Sequence, residues 1–497
     1  MDIFVNPDTS RLLNRISRFF IEEGSTAYLV GGFVRDTLLG RATDDIDIAV
    51  DGDAMVAAER AARTLGGRYV PLDTENGVGR VVLPGGWNVD FATLQGSIEQ
   101  DLTRRDFTIN AMAIELDSDI SILLNPDRLI DPCSGRDDLR RRVVRAVGDT
   151  CFSDDAVRLM RAVRIAAELD FEIDTGTETL ARQSSRLITT VPGERIREEL
   201  LRLLALPGAG RRLAYLDELG VLTSLIPELA PAKGVDQPTV HVWDVFDHSI
   251  QTVTAVEYLL RESPLDYAGD DVLAQVPWTA ELEQHFDRDV SSGSTRRAML
   301  KLAALLHDIA KPATKTVDDN GRARFLGHPV DGAATAAAVM ERLRFSNREI
   351  KLVELLVTYH LRPTQMSNEG LPSRRAIYRY FRDTGEAGID ILFLCLADHL
   401  ATRGPSLDSD GWREHTEITK YVLTEHFEEE RLSVPSKLID GHDIMEAFGL
   451  TPGRAVGALL EAVRETQAAG EITTREQAMR FVGQLLADRK DSQRKEK

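Results

Sequence analysis

Tyr28-Leu29-Val30-Gly31-Gly32-Phe33-Val34-Arg35-Asp36-Thr37-Leu38-Leu39-Gly40, followed by Asp45-Ile46-Asp47-Ile48-Ala49-Val50, decides how the first part of the chain folds. Tyr28 to Val30 reads as a short strand broken by the paired glycines, and Phe33 to Leu39 as a short helix ended by Gly40. Ile46 to Val50 is a second strand. Side chains alternate along a strand, so Asp45 and Asp47 leave one face while Ile46, Ile48 and Val50 turn to a core. Two adjacent carboxylates repel each other, and a cation between them removes that cost. Magnesium suits such a pair because it prefers oxygen and bridges carboxylates to phosphates. Asp90, between apolar Val89 and Phe91 on a predicted strand Asn88 to Ala92, is the candidate third carboxylate. The paired glycines Gly31 and Gly32 let backbone N–H groups approach a phosphate at a helix start. Arg35 is positioned to add a charge-assisted contact. Alone, Asp-x-Asp is ordinarily a solvated acidic patch and Gly-Gly a tight turn; in succession they form a phosphate cradle facing a metal site.

Working outward, Arg80 to Leu83 and Ala111 to Leu116 read as further strands, so the first part is mixed α/β. From about Ser153 strand signals nearly vanish. Ala156, Leu159, Met160, Val163 and Ala167 recur at helical spacing, as do Leu200, Leu203 and Leu204. The whole is an α+β chain with a long helical remainder. That remainder is interrupted near Pro227 to Pro238, Asp266 to Ser294 and Pro405 to Gly411, the middle stretch reading as an acidic surface insertion. A length of 497 residues predicts three or four domains. No apolar run approaches the roughly 18 residues of a membrane helix, and no secretory signal is visible at the start. Cys133, Cys151 and Cys395 lie far apart, which predicts a reducing compartment and a cytoplasmic protein. The formal charge of −20 argues against non-specific coating of nucleic acid. Local arginine stripes at 136–145 and 195–212 remain candidate contact surfaces.

Asp101-Leu102-Thr103-Arg104-Arg105-Asp106-Phe107-Thr108-Ile109-Asn110-Ala111-Met112-Ala113 brings Arg104, Arg105, Asp106 and Asn110 together. Adjacent arginines suit a triphosphate. The plainer reading is a salt-bridge cluster in which Asp101 and Asp106 neutralise them. At this point the chain resembles class II tRNA nucleotidyltransferases, the bacterial and eukaryotic CCA-adding group related to bacterial poly(A) polymerases. Residues 29–50 look like the family's first motif, and Arg104 to Ala111 like the motif that contacts the incoming nucleotide. Asp131-Pro132, Gly135, Asp138-Leu139 and Arg145 to Asp149 are similar to its hinge region, and Gly441 and Pro452-Gly453 extend the likeness toward the end. Thr93-Leu94-Gln95 departs from the family's usual Thr-Phe-Arg.

Asp154-Asp155-Ala156-Val157-Arg158-Leu159-Met160-Arg161 is predicted to open a helix, with Asp155 and Arg158 on one face. A carboxylate accepts from the exocyclic amine of cytosine or adenine, and a guanidinium donates to a ring nitrogen that both bases present. Neither G nor U offers that order. The alternative is an ordinary ion pair worth a few tenths of a kcal/mol. The resemblance implies that Asp155 and Arg158 read the base, with Arg161 alongside, and that Glu194 to Glu199 brace this helix. Asp154 stands where the motif usually has glutamate.

His248, His307-Asp308, His328, His360 and Asp398 are spread over apolar helical stretches, where buried polar residues need partners. Imidazoles with carboxylates suit manganese, iron, nickel or zinc. In order and spacing the six resemble the HD-domain phosphohydrolases, with Lys311 as a phosphate-facing cation. That resemblance implies one metal held by His248, His307, Asp308 and Asp398, and a second site completed by His328 and His360.

The expected organisation is a polymerase-like nucleotidyltransferase palm at 1–148 and a helical neck at 149–235. An HD domain at 236–435 and a helical tail at 436–497 follow. The expected activity is template-independent addition of C and A from CTP and ATP to the tRNA acceptor end. Asp45 and Asp47, with Asp90, would hold two Mg2+ ions, and a transition metal or Mg2+ would occupy the HD site. The alternatives are an enzyme adding only CC or only A, a bacterial poly(A) polymerase, or a phosphohydrolase with an inactive palm.

Overall fold

The computed structural model describes residues 6–74, 77–117, 125–238, 240–367, 370–431 and 437–495. The chain divides into two compact units, Met1–Leu206 with Ala214–Leu225, and Pro207–Leu213 with Ile226–Lys497.

In the first unit, β1 (Ala27–Val30), β2 (Asp45–Val50), β3 (Arg68–Asp73), β4 (Val78–Val82), β5 (Asn88–Thr93) and β6 (Ala113–Glu115) form one sheet. Its order is β3-β4-β5-β2-β1-β6. Strands β2 and β5 run parallel and the other neighbours antiparallel. The expected strands around Ile46, Arg80, Asn88 and Ala113 are all present. Strand β3 was not expected; it contains Pro71, lies at the sheet edge and buries little, so its apolar pattern is weak. The helix after β1 starts at Gly31 itself, two residues earlier than the sequence pattern predicts.

Two helices cover the sheet. Pro7–Glu23 starts with Pro7 behind an Asn6 side chain that accepts from the Thr9 N–H, and ends on Gly24 in the left-handed region. It buries Leu13, Ile16 and Phe20, whose ring sits 6.0 Å from that of Phe91 on β5. Ala54–Leu65 is capped by Asp53 and presents small residues, Ala54, Ala58 and Ala61, to the sheet. Gly79 on β4 makes that approach possible: a Cβ there would lie 2.9 Å from the Tyr69 ring and 3.3 Å from the Ala58 Cβ. Truncating the fully buried Phe91 to alanine is expected to cost about 3–5 kcal/mol.

The second unit is mainly helical. Helices Val245–Leu259, Arg296–Leu306, His328–Arg342, Asn347–Tyr359 and Ala387–Arg403 pack together. The last is apolar nearly all round, as a central helix must be. No helix among the described residues is long and apolar enough to cross a membrane.

The acidic stretch 266–294 is not the surface insertion expected. It folds into helices Asp270–Leu273 and Ala280–Asp287 and buries Val276, Leu282 and Phe286. Phe286 meets Phe393 edge-on at 4.8 Å, and His285 with Arg296 grips the buried Asp390. Its charges face out while a few apolar anchors, too sparse to show as a period, face in. Short strand pairs also occur after Ser153, the clearest being Lys315–Val317 with Ala323–Phe325. Near the end, helices Gly441–Phe448, Arg454–Ala468 and Arg475–Lys495 share a core built on Ile444, Leu459 and Val482.

Candidate active site and metal centre

Strand β2 delivers Asp45 and Asp47 to one face while Ile46 and Ile48 are buried on the other. Asp45 is exposed, and its Oδ1 lies 3.3 Å from Asn88 Nδ2 on β5. Asp47 stands opposite Val30, so its carboxylate meets the start of the Gly31 helix. A Cβ on Gly31 would sit 3.1 Å from both Asp47 Oδ2 and Arg105 Nη1, and Gly31 has φ +70°. Glycine is therefore needed twice over, for the left-handed backbone and for the close approach. Burial raises the Asp47 carboxyl, Arg105 pulls it back, and Asp90 and Asp45 push it up again, to about 6. A carboxylate in that position lacks compensating positive charge, and hard oxygen donors are what magnesium takes.

Asp90 departs from expectation. The β2/β5 register sets it directly beside Asp47, yet Arg80 on β4 clamps both its oxygens, Nε to Oδ1 and Nη2 to Oδ2, each at 2.7 Å. Among the described residues, Asp45, Asp47 and Asp90 do not form a group of three ligand atoms within metal-binding reach. The palm therefore presents a two-carboxylate site with Asp90 neutralised beside it.

Arg35 is likewise committed within the protein. It makes two bonds to Asp36, at 2.9 and 2.8 Å, and one of 2.7 Å to Asn110 Oδ1. Asn110 donates to Asp106 at 3.1 Å, and Asp106 receives Arg161 at 3.3 Å. Arg161 in turn reaches Glu199 at 3.1 Å, which also binds Arg164 at 2.5 Å. This partly buried chain runs from the glycine turn to helix Gly193–Ala205. It makes Arg35, Asp106, Asn110 and Arg161 a brace, in place of the free nucleotide ligands expected. Asp106 stays below the usual carboxylate range: burial would raise it, but Arg161, Asn110 and the Phe107 N–H outweigh that. Arg105 is paired with Asp101, whereas Arg104 is exposed and makes no ion pair among the described residues. The plainer salt-bridge reading thus fits Arg105, through Asp101, but not Arg104, and Asp106 pairs with Arg161 instead.

Asp155 and Arg158 are not on one helical face. Helix Cys151–Asp154 ends at Asp155, which is extended, and the next helix begins at Arg158. Asp155 is held by Arg195, at 3.0 and 2.7 Å. Arg158 donates to the carbonyls of Arg104, Arg105 and Cys151 at 2.9, 3.4 and 3.2 Å. The arginine thereby ties the Arg104-Arg105 segment to this helix start.

The six HD residues come together as expected. His248 rises from helix Val245–Leu259, His307 and Asp308 close helix Arg296–Leu306, His328 opens one helix, and His360 closes another. Nε2 atoms of His307 and His328 lie 3.1 and 3.3 Å from opposite oxygens of Asp308. His248 Nε2 is 3.5 Å from Asp308 and 3.0 Å from Asp398 on the central helix. Two groups, His248/His307/Asp308 and Asp308/His328/His360, each hold their ligand atoms within 4.8 Å of one another, sharing Asp308. Asp398 stands beside the first group, its Oδ1 3.0 Å from His248 Nε2 and 3.9 Å from His307 Nε2.

The Nδ1 atoms of His307, His328 and His360 bond the carbonyls of Ala304, Phe325 and Val357, at 2.8, 2.6 and 2.7 Å. In the neutral rings each Nε2 is thus left as a lone pair, although at His307 burial, which opposes the charge, is outweighed by Asp308 and Asp398, which raise the imidazole. His307 Nε2, His328 Nε2 and Asp308 Oδ1 are buried without a hydrogen-bond partner, which a bound cation would supply. Burial drives His360 down to about 4 and lowers His248, keeping both neutral. Burial opposes the Asp308 charge, but His307 and Lys311 outweigh it and hold the carboxyl well below its usual range. Lys311 Nζ reaches Asp308 Oδ2 at 2.6 Å and Gln237 Oε1 at 2.7 Å.

Sequence reasoning missed Arg80, Gln237 and His241, whose ring packs on His248 at 5.6 Å. Only the register of neighbouring strands or the approach of a distant loop brings them in, and neither is written in local spacing.

Three family models match the chain: "Poly A polymerase head domain" over residues 27–94 and 88–145, "Probable RNA and SrmB- binding site of polymerase A" over 170–233, and "HD domain" over 245–403. The chain is 34% identical over 462 residues to a Deinococcus radiodurans protein named A-adding tRNA nucleotidyltransferase, covering 92% of this chain and 94% of that one. To a Thermus thermophilus protein named CC-adding tRNA nucleotidyltransferase it is 33% identical over 464 residues, covering 92% and 93%. Among solved structures, a CCA-adding enzyme in complex with ATP shares the fold, with a TM-score of 0.64 at 23% identity over 97% of this chain and 96% of that one.

Proposed function

The chain belongs to the tRNA nucleotidyltransferase family, and from that premise we propose that it adds C and A nucleotides to the tRNA 3′ end without a nucleic-acid template. The observation that carries the proposal is the meeting of Asp47 with the Gly31 turn, which sets a charge-deficient carboxylate against backbone able to approach a phosphate. Asp45 and Asp47 would hold Mg2+, which when bound supplies positive charge to the RNA hydroxyl and the departing pyrophosphate. Gly31 and Gly32 admit the triphosphate, and the exposed Arg104 is free to bind its oxygens. Arg35, Asn110, Asp106 and Arg161 fix the turn relative to the base-reading segment, so that Asp155 and Arg158 present acceptor and donor at a set distance from the carboxylates. Tying these parts together limits misplacement of the reacting atoms, to which the rate is steeply sensitive.

A second reading, addition of only A or only CC, has its own observation: the two relatives described above are named A-adding and CC-adding. Incubation with tRNA ending at the discriminator base, at C or at CC, with labelled CTP and ATP, separates the readings. Addition of all three nucleotides supports the proposal, and arrest after CC, or extension of only the CC-ended tRNA, replaces it. If Asp45→Ala and Asp47→Ala both retain addition, the palm assignment fails.

For the HD centre the proposal is hydrolysis of a phosphate ester, separate from addition. Orphaned imidazole and carboxylate atoms fit one cation with His248, His307 and Asp308 and another with Asp308, His328 and His360. Lys311 would face the phosphate. The free thiols Cys133, Cys151 and Cys395 suit a cytoplasmic setting.

A further inference from the structure

The histidine cluster is buried, but not evenly. His248, His307, Asp308 and His360 expose at most 1% of their side chains, while Asp398, Lys311 and His328 keep 20, 10 and 8%. The fringe that a ligand can reach therefore includes Lys311. Its ammonium has three N–H groups to give. One goes to Asp308 Oδ2 at 2.6 Å and one to Gln237 Oε1 at 2.7 Å. No other acceptor bonds it among the described residues, so a third donor is left for a ligand.

Gln237 meets the lysine as a fixed acceptor. Its Nε2 donates to the Trp243 carbonyl at 3.4 Å, which sets the direction of the amide, because an ammonium only donates and a carbonyl only accepts. The segment that carries it is tied down on both sides. Val245 N–H bonds the Val235 carbonyl at 3.2 Å, Gly234 N–H bonds Asp244 Oδ2 at 2.6 Å, and Lys315 Nζ bonds the Asp236 carbonyl at 3.0 Å. Asp308 is a less constant partner. The Oδ2 that takes Lys311 also lies 3.1 Å from His307 Nε2 and 3.5 Å from His248 Nε2, within the first group of candidate metal ligands. A cation held there would draw on the same oxygen and repel the ammonium. Gln237 Oε1, neutral and outside both groups, would then be the acceptor that keeps Lys311 in place.

We propose that Gln237 is the positioning residue for Lys311, setting its ammonium to receive a phosphate oxygen beside the loaded cluster. The inference rests on the reading of this centre as one that takes phosphate esters. It adds to that centre a residue that touches none of the candidate metal ligands and reaches them only through the lysine.

Full-length protein loaded with Mn2+ is titrated calorimetrically with inorganic phosphate, as the unaltered chain and as Gln237→Ala, Lys311→Met and the two changes together. Gln237→Ala is expected to weaken phosphate ~10-fold, the worth of one hydrogen bond to a charged group, with the number of ions per chain unchanged by elemental analysis. In the Lys311→Met background the same change should cost less than about twofold, because the group it positions is gone. A general loosening of the segment would act with or without the lysine, so this arm separates the two roles. Equal phosphate affinity in Gln237→Ala and the unaltered chain overturns the proposal, as does an undiminished effect in the Lys311→Met background. Loss of ions in Gln237→Ala, or no phosphate binding by the unaltered chain at millimolar concentrations, overturns it as well. Turnover of p-nitrophenyl phosphate in the same samples tests the underlying reading by itself. Gln237-dependent phosphate binding without turnover removes hydrolysis and leaves the positioning role standing.

Discussion

Arg195 holds Asp155 through two parallel hydrogen bonds, Nη1 to Oδ1 at 3.0 Å and Nη2 to Oδ2 at 2.7 Å, on the segment between two short helices. Asp155 is not carried by a helix of its own, so its direction depends on this clamp. Arg195→Ala is therefore expected to lower kcat/KM for CTP and ATP roughly five- to tenfold, the value of about 1 kcal/mol for a half-exposed bidentate pair. Misincorporation of G and U should rise with it. Steady-state kinetics with all four nucleotides measures both, and unaltered selectivity would remove Asp155 from base reading.

Asp47→Asn should abolish addition, by about a thousandfold or more, while leaving the protein at least as stable. The stability arm follows from the Asp47 carboxyl being raised to about 6. Such a group favours the fold in its protonated form. That contribution is complete below its ordinary value near about 4 and is lost as pH rises through about 6. In EDTA, the Tm advantage of Asp47→Asn over the unaltered chain should widen between those values and level off above. A flat difference across that window would contradict the charge-deficient site.

Glu199 joins two arginines, Arg161 and Arg164, and is itself buried. Glu199→Gln removes the carboxylate charge that the two share and should destabilise the first unit by ~3 kcal/mol. Urea unfolding followed by circular dichroism gives the number. The loss should exceed that of an exposed pair such as Arg140–Asp137, for which Asp137→Asn is expected to cost under about 1 kcal/mol.

Much of this was legible in the sequence, and the boundary is physical. Strand β2 showed itself because Asp45-Ile46-Asp47-Ile48 alternates with the pleat, and the six HD residues because each stands beside an apolar helical stretch, in an order and spacing that resemble the HD-domain phosphohydrolases. Arg80 was hidden because its partner Asp90 is ten residues away and the pairing exists only through the β4/β5 register. Asp155 and Arg158 looked like neighbours on a helix because spacing alone cannot tell a continuous helix from two short ones with an extended residue between. The same limit concealed the buried side of the 266–294 stretch, where three apolar anchors are scattered among acids.

The histidine cluster should respond to metal removal apart from the palm. Chelation is expected to lower the melting temperature, since a cation at a hundred times its Kd contributes about 2.7 kcal/mol. His328→Ala with His360→Ala should remove one of the two ions expected in the histidine cluster, read by elemental analysis as one fewer ion per chain, with nucleotide addition intact. An unchanged metal content would show that the Asp308/His328/His360 group holds nothing.

The carbonyls of Ala304, Phe325 and Val357 settle which nitrogen of each ring carries its hydrogen before any ion arrives. A cation loading there would need no reshuffling of imidazole tautomers. A cation entering such a pre-set donor cluster would be selected by its radius and softness, and its pace of exchange would follow how readily it sheds its own hydration.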